Sequence, residues 1–164
     1  GAGAGVEGSA WDLTLEATED LHGMAGLTVY GGISEVDRYT DAAGNSGNRD
    51  ESVIGFKYAM GGFTVGYQIT DEDTGQTGVS GYENTSYGIT FSVNDDLSIG
   101  YGHTESDGSG ASSAANPEAD SIQVAYTMGG ATFRIAEIDV ENAGYTSAVS
   151  GDKETTVISL GLAF

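Results

Sequence analysis

The 164-residue chain carries 25 acids against 5 bases, a formal charge of −20, and no cysteine. That charge repels nucleic-acid phosphates, and the missing thiols exclude disulfides and thiolate metal sites. The length suits a single domain, and no apolar run reaches the length of a membrane-spanning helix.

The 27 glycines would suggest disorder, but nine Tyr and five Phe at regular spacing argue against it. The chain opens GAGAGVEGSA, without Met or a signal peptide, and reads as processed, engineered or a fragment. GAGAG is no nucleotide loop, because no strand precedes it and no helix follows.

From there the apolar spacing has period two, and it predicts nine strands. The first two, about 9–19 and 26–36, carry Trp11, Leu13, Leu15 and Leu27, Val29, Ile33 on one face, and EDLHGMAG joins them. Strands at about 52–60 and 63–71 alternate Ile54, Phe56, Tyr58 and Phe63, Val65, Tyr67 around Gly61-Gly62. Two glycines suit a two-residue hairpin turn, where the backbone needs positive φ. Strands at about 84–93 and 97–105 join through Asn94-Asp95-Asp96. Those at about 121–128 and 131–140 repeat the Tyr-x-Met-Gly-Gly hairpin, with Tyr126 and Phe133 beside the turn. The last, about 154–164, alternates Ile158, Leu160, Leu162 and Phe164.

Between hairpins lie long acidic connections: DRYTDAAGNSGNRDE, DEDTGQTGVSGYE, ESDGSGASSAANPEAD and DVENAGYTSAVSGDKE. Short turn and long loop in alternation is the pattern of an all-β, antiparallel up-and-down transmembrane barrel. One face is apolar; the other is Thr, Ser, Gly, Ala and Gln with few charges. A soluble β-sandwich would carry more Lys and Glu on its outer face.

The terminal Phe164 behind Leu162, Leu160 and Ile158 looks like the assembly signal of Gram-negative outer-membrane barrels. With the Met-Gly-Gly turns and Tyr-rich hairpins, the chain resembles the trimeric general porins of alphaproteobacteria, the Rhodobacter type. The resemblance implies a 16-stranded barrel, passive diffusion, a homotrimer, and partners in outer-membrane lipid, lipopolysaccharide and the barrel-assembly machinery. Nine strands are odd, so the chain reads as the carboxy-terminal part of such a barrel, with residues 1–8 in an external loop or at a cut terminus. The missing amino-terminal part would be a further partner, and nucleic acid is not one.

In a porin the polar face lines water. Alternation puts Lys57, Arg134, Asp12, Glu16, Tyr30, Gln68 and Gln123 there, where opposed charges would order solutes. The plainer reading pairs Lys57 and Arg134 with carboxylates on the wall. Tyr58, Phe63, Tyr126, Phe133 and Phe164 would form one aromatic girdle; Tyr67 and Tyr101, with Tyr39, Tyr82 and Tyr145, would form the other. No cofactor is required. Asp71, Glu72 and Asp73 are hard oxygen ligands that could take calcium, but they lack the EF-hand pattern, and a solvated acidic loop is the plainer reading. His22 and His103 fall at opposite rims without a Ser or Asp partner, so no enzyme is expected.

Two other classes compete with a diffusion channel. One is a small barrel of eight or ten strands with a filled lumen, acting as an anchor or adhesin. The small residues Gly55, Gly66, Gly88, Gly100, Gly102 and Gly161 on the polar face disfavour a filled interior. The other is a secreted acidic β-sandwich.

Overall fold

A computed structural model describes residues 8–37, 47–75, 79–110 and 114–162. Nine strands form one sheet: β1 (Ala10–Ala17), β2 (Leu27–Val36), β3 (Arg49–Met60), β4 (Phe63–Asp73), β5 (Val79–Ser92), β6 (Leu97–Gly110), β7 (Glu118–Met128), β8 (Ala131–Glu141) and β9 (Lys153–Leu162). Each pairs antiparallel with the next in the chain, so the sheet is an up-and-down meander. Residues 1–7, Tyr39 and Phe164 lie outside the described residues.

The turns follow from their residues. In Met60-Gly61-Gly62-Phe63 only the first glycine takes a left-handed φ, +58°, and Gly129 repeats this at +59°. That is the requirement of a type II′ turn. Gly62 serves a different need, since a Cβ there would meet the Phe91 ring at 3.2 Å. Asn94 closes the β5–β6 turn by accepting from the amides of Asp96 and Leu97 at 2.9 and 2.8 Å. The β1–β2 connection holds a four-residue helix, α1 (Glu19–His22), ended by Gly23 in the left-handed region. The first strand accordingly stops at Ala17, short of the predicted 19.

Strands β3, β5 and β6 run further into the acidic connections than the spacing predicts, reaching Arg49, Val79 and Gly110. Above the apolar stretch both faces are polar, so the alternation fades while the backbone pairing continues.

The register carries a regular stagger. Within hairpins the inner ends are level, as Met60 pairs with Phe63 and Met128 with Ala131. Across each long connection they step by two residues. Leu27 pairs with Tyr58, two before Met60; Phe63 with Phe91, two before Val93; Leu97 with Tyr126, two before Met128. One residue per strand, at ~3.3 Å rise and ~4.8 Å spacing, tilts the strands by about 35°. Membrane barrels have this tilt.

With the stagger counted, the apolar band is level. Ile33, Ile54, Ile69, Tyr87 and Ile122 all stand six residues above their turns on one face. Two residues higher on that face come Glu35, Asp71, Glu105, Asp120 and Asp139. Two higher again come Asp50, Asp73, Glu83, Asp107, Glu118 and Glu141. Apart from Glu137, which faces outward six residues above its turn, the first carboxylates stand about 22 Å above the turns, close to the ~25 Å apolar band of outer-membrane barrels. No large hydrophobic residue is buried among the described residues, and Leu15 and Ile54 are 69% and 62% exposed. A soluble sandwich would cover this face with a second sheet; here a single layer presents it outward.

Candidate polar-face site

The candidate site is the opposite face. Pairing across the strands puts Asp12 with Ser34, Glu16 with Tyr30, Thr28 with Lys57, Gly55 with Gln68, Gly100 with Gln123 and Ala125 with Arg134. All seven residues singled out from the sequence therefore share that face. Glu16, Tyr30, Lys57, Gln68 and Gln123 also line one concavity of about 530 Å³. Asp12 lies in a neighbouring one, of about 290 Å³, with Glu51 and Glu72. Arg134 stands apart on β8, about 24 Å along the wall from Lys57 at five strand spacings.

The floor between them is low. Gly66, Gly88 and Gly102 follow Lys57 along a single row of cross-strand partners. Tyr30 and Gln123 lie over glycines: a Cβ at Gly55 would fall 2.5 Å from the Tyr30 hydroxyl, and one at Gly100 would fall 3.2 Å from Gln123 Nε2. The Tyr30 hydroxyl donates to Gln68 Oε1 at 2.9 Å.

Charge is sorted between the faces. Arg49, Lys57, Arg134 and Lys153, every Lys and Arg among the described residues, stand on the polar face. Lys57 and Arg134 have no ion-pair partner among the described residues. Arg49 does pair, at 2.5 Å with Glu51 and 2.9 Å with Glu72. Sequence reasoning left Arg49 in a loop; its one signal is that the period of two, counted back from Ile54, sets it on the face of Lys57.

The acidic triplet is not assembled. Asp71, Glu72 and Asp73 lie within β4, not in a loop, and alternation turns Glu72 to the polar face and the other two outward. Glu72 is already engaged by Arg49. No group of three or more potential ligands gathers among the described residues.

The aromatic residues divide differently from the expectation. Tyr58, Phe63, Tyr126 and Phe133 stand on the outward face within two residues of the turn level, as an inner girdle requires. Tyr67 and Tyr101 stand four residues above the turns, in mid-band and not at an outer rim. Tyr82 pairs with Glu72 on the polar face and packs against Tyr145 at 5.4 Å. The strands reach higher than predicted, so positions read as a rim fall in the middle. Ile158, Leu160 and Leu162 face outward on β9.

His103 has a partner that the sequence did not reveal. Its Nδ1 is 3.0 Å from Asp120 Oδ1, which also accepts from the Tyr101 hydroxyl at 2.5 Å, and Tyr87 stacks on the ring at 4.9 Å. This cluster is on the outward face, whereas Ser121 points to the other and does not complete a Ser-His-Asp arrangement with it.

The solved structure titled "Outer-membrane expressed OmpT of Vibrio cholerae" is similar to this chain at 17% identity and a TM-score of 0.48. The likeness covers 94% of this chain and 53% of that one, so this chain spans about half its length. No curated protein matches. The Gram-negative porin family matches residues 5–164. A nine-stranded antiparallel meander with a level outward apolar band, matched to that family over nearly its whole length, belongs to the Gram-negative porins and to the outer membrane.

Proposed function

We propose that this chain forms part of the wall of a water-filled channel for passive diffusion of small hydrophilic solutes and ions, without catalysis or a required cofactor. The observation that carries this reading is the polar face itself. It is built largely of Gly, Ser and Thr, and Lys57 and Arg134 on it have no ion-pair partner among the described residues. A filled lumen would need bulky interlocking side chains there.

Further strands complete the barrel in this reading. In a nine-stranded antiparallel meander β1 and β9 run the same way, so direct closure would make a parallel pair. An even barrel avoids that. The carboxy-terminal placement within a Rhodobacter-type barrel and homotrimeric assembly belong to the same proposal. Purified protein, extracted intact in detergent, should give discrete conductance steps in planar bilayers and run as a trimer before heating. A membrane that stays electrically silent at saturating protein would overturn the channel reading.

A further inference from the structure

Tyr30, Gly55 and Gln68 occupy one row of cross-strand partners on β2, β3 and β4. The Tyr30 hydroxyl reaches the Gln68 carbonyl at 2.9 Å, so the side chain crosses the intervening strand to touch the next. It can do so only by lying along the wall. Gly55 makes the crossing possible, because a Cβ there would sit 2.5 Å from the hydroxyl oxygen and 2.6 Å from Cζ. Any other residue at 55 occupies the ring's place. Lys57 is two residues along the same strand and face, and Gly66 beside it adds no bulk.

We propose that Gly55 and Gln68 form a seat that holds the Tyr30 ring flat, and that this seat sets the free width of the passage beside Lys57. The inference rests on the channel reading above. A tyrosine released from the seat keeps its anchor on β2 and swings its ring into the water. Width at this level then depends on one hydrogen bond and one missing methyl, not on the barrel's diameter. Tyr30 is therefore a residue that determines size selectivity through its orientation.

The test uses the intact protein in planar bilayers and, separately, in detergent. Gln68→Leu removes the acceptor at similar volume; Gly55→Ala fills the seat. Each should lower single-channel conductance, and adding Tyr30→Ala to either should raise it to the unmodified level or above. A Cβ at 55 also comes within 2.8 Å of the Tyr67 carbonyl, so Gln68→Leu decides if Gly55→Ala does not fold. Unchanged conductance in Gln68→Leu would overturn the seat. The second readout needs no channel. Thermal midpoints of Tyr30→Phe, Gln68→Leu and the double variant should be non-additive, because the two residues share one bond. Additive shifts would overturn the seat, while silent bilayers with non-additive shifts would overturn only the channel reading.

Discussion

Arg49 Nε lies 2.9 Å from Glu72 Oε1, across the β3–β4 pair on the polar face. The guanidinium also holds Glu51, and Asp12 stands in the same concavity as both acids. Arg49→Ala therefore leaves three carboxylates facing the water, with no Lys or Arg among the described residues lining that concavity. The reversal potential in a salt gradient should move toward cation preference. The pair is about a third exposed, so stability should change by no more than ~1 kcal/mol, read from urea midpoints in detergent.

Lys57 and Arg134 form no such ion pair among the described residues. Replacing both with Glu reverses two charges on the polar face, and should shift ion preference toward cations more than Arg49→Ala does. Reversal potentials equal to those of the unmodified protein would remove both residues from the conducting path.

Gln123 and Val124 are adjacent on β7 and point to opposite faces. Val124→Arg puts a charge in the apolar band and should cost ~2–4 kcal/mol of unfolding free energy in lipid. Gln123→Arg should leave stability nearly unchanged and move selectivity toward anions. Equal destabilisation by the two would contradict the assignment of faces.

Gly61 occupies φ +58° at the first position of its turn. Gly61→Val forces a β-branched residue into that region, at about 1–3 kcal/mol. Gly61→Asn should cost less, because a short polar side chain tolerates it. Refolding yield into detergent micelles or vesicles, compared across the three proteins, checks the order.

The faces were legible in the sequence because a membrane strand writes its contrast every second residue. Lys57 between Phe56 and Tyr58, or Gln123 between Ile122 and Val124, is assigned by counting alone. The upper strand ends were not legible, since Arg49-Asp50-Glu51 is polar on both sides and alternation has nothing to contrast. The His103–Asp120 pair was hidden for another reason. Its members sit on strands joined by a long connection, and only the cross-strand register brings them level. The calcium candidate turns on the same point: three consecutive acids look like a cluster in the sequence, and a strand separates them by face.

The two-residue turns have a consequence for how such a wall is assembled. Because side chains alternate strictly, register errors are not graded: a slip of one position would move Lys57 and Arg134 into lipid and Tyr58 and Phe133 into water together. A turn of two glycines leaves no slack to absorb that slip. Met-Gly-Gly thus fixes the register at the closed ends of the β3–β4 and β7–β8 hairpins, so that a mispairing there is wrong for the whole strand and not residue by residue.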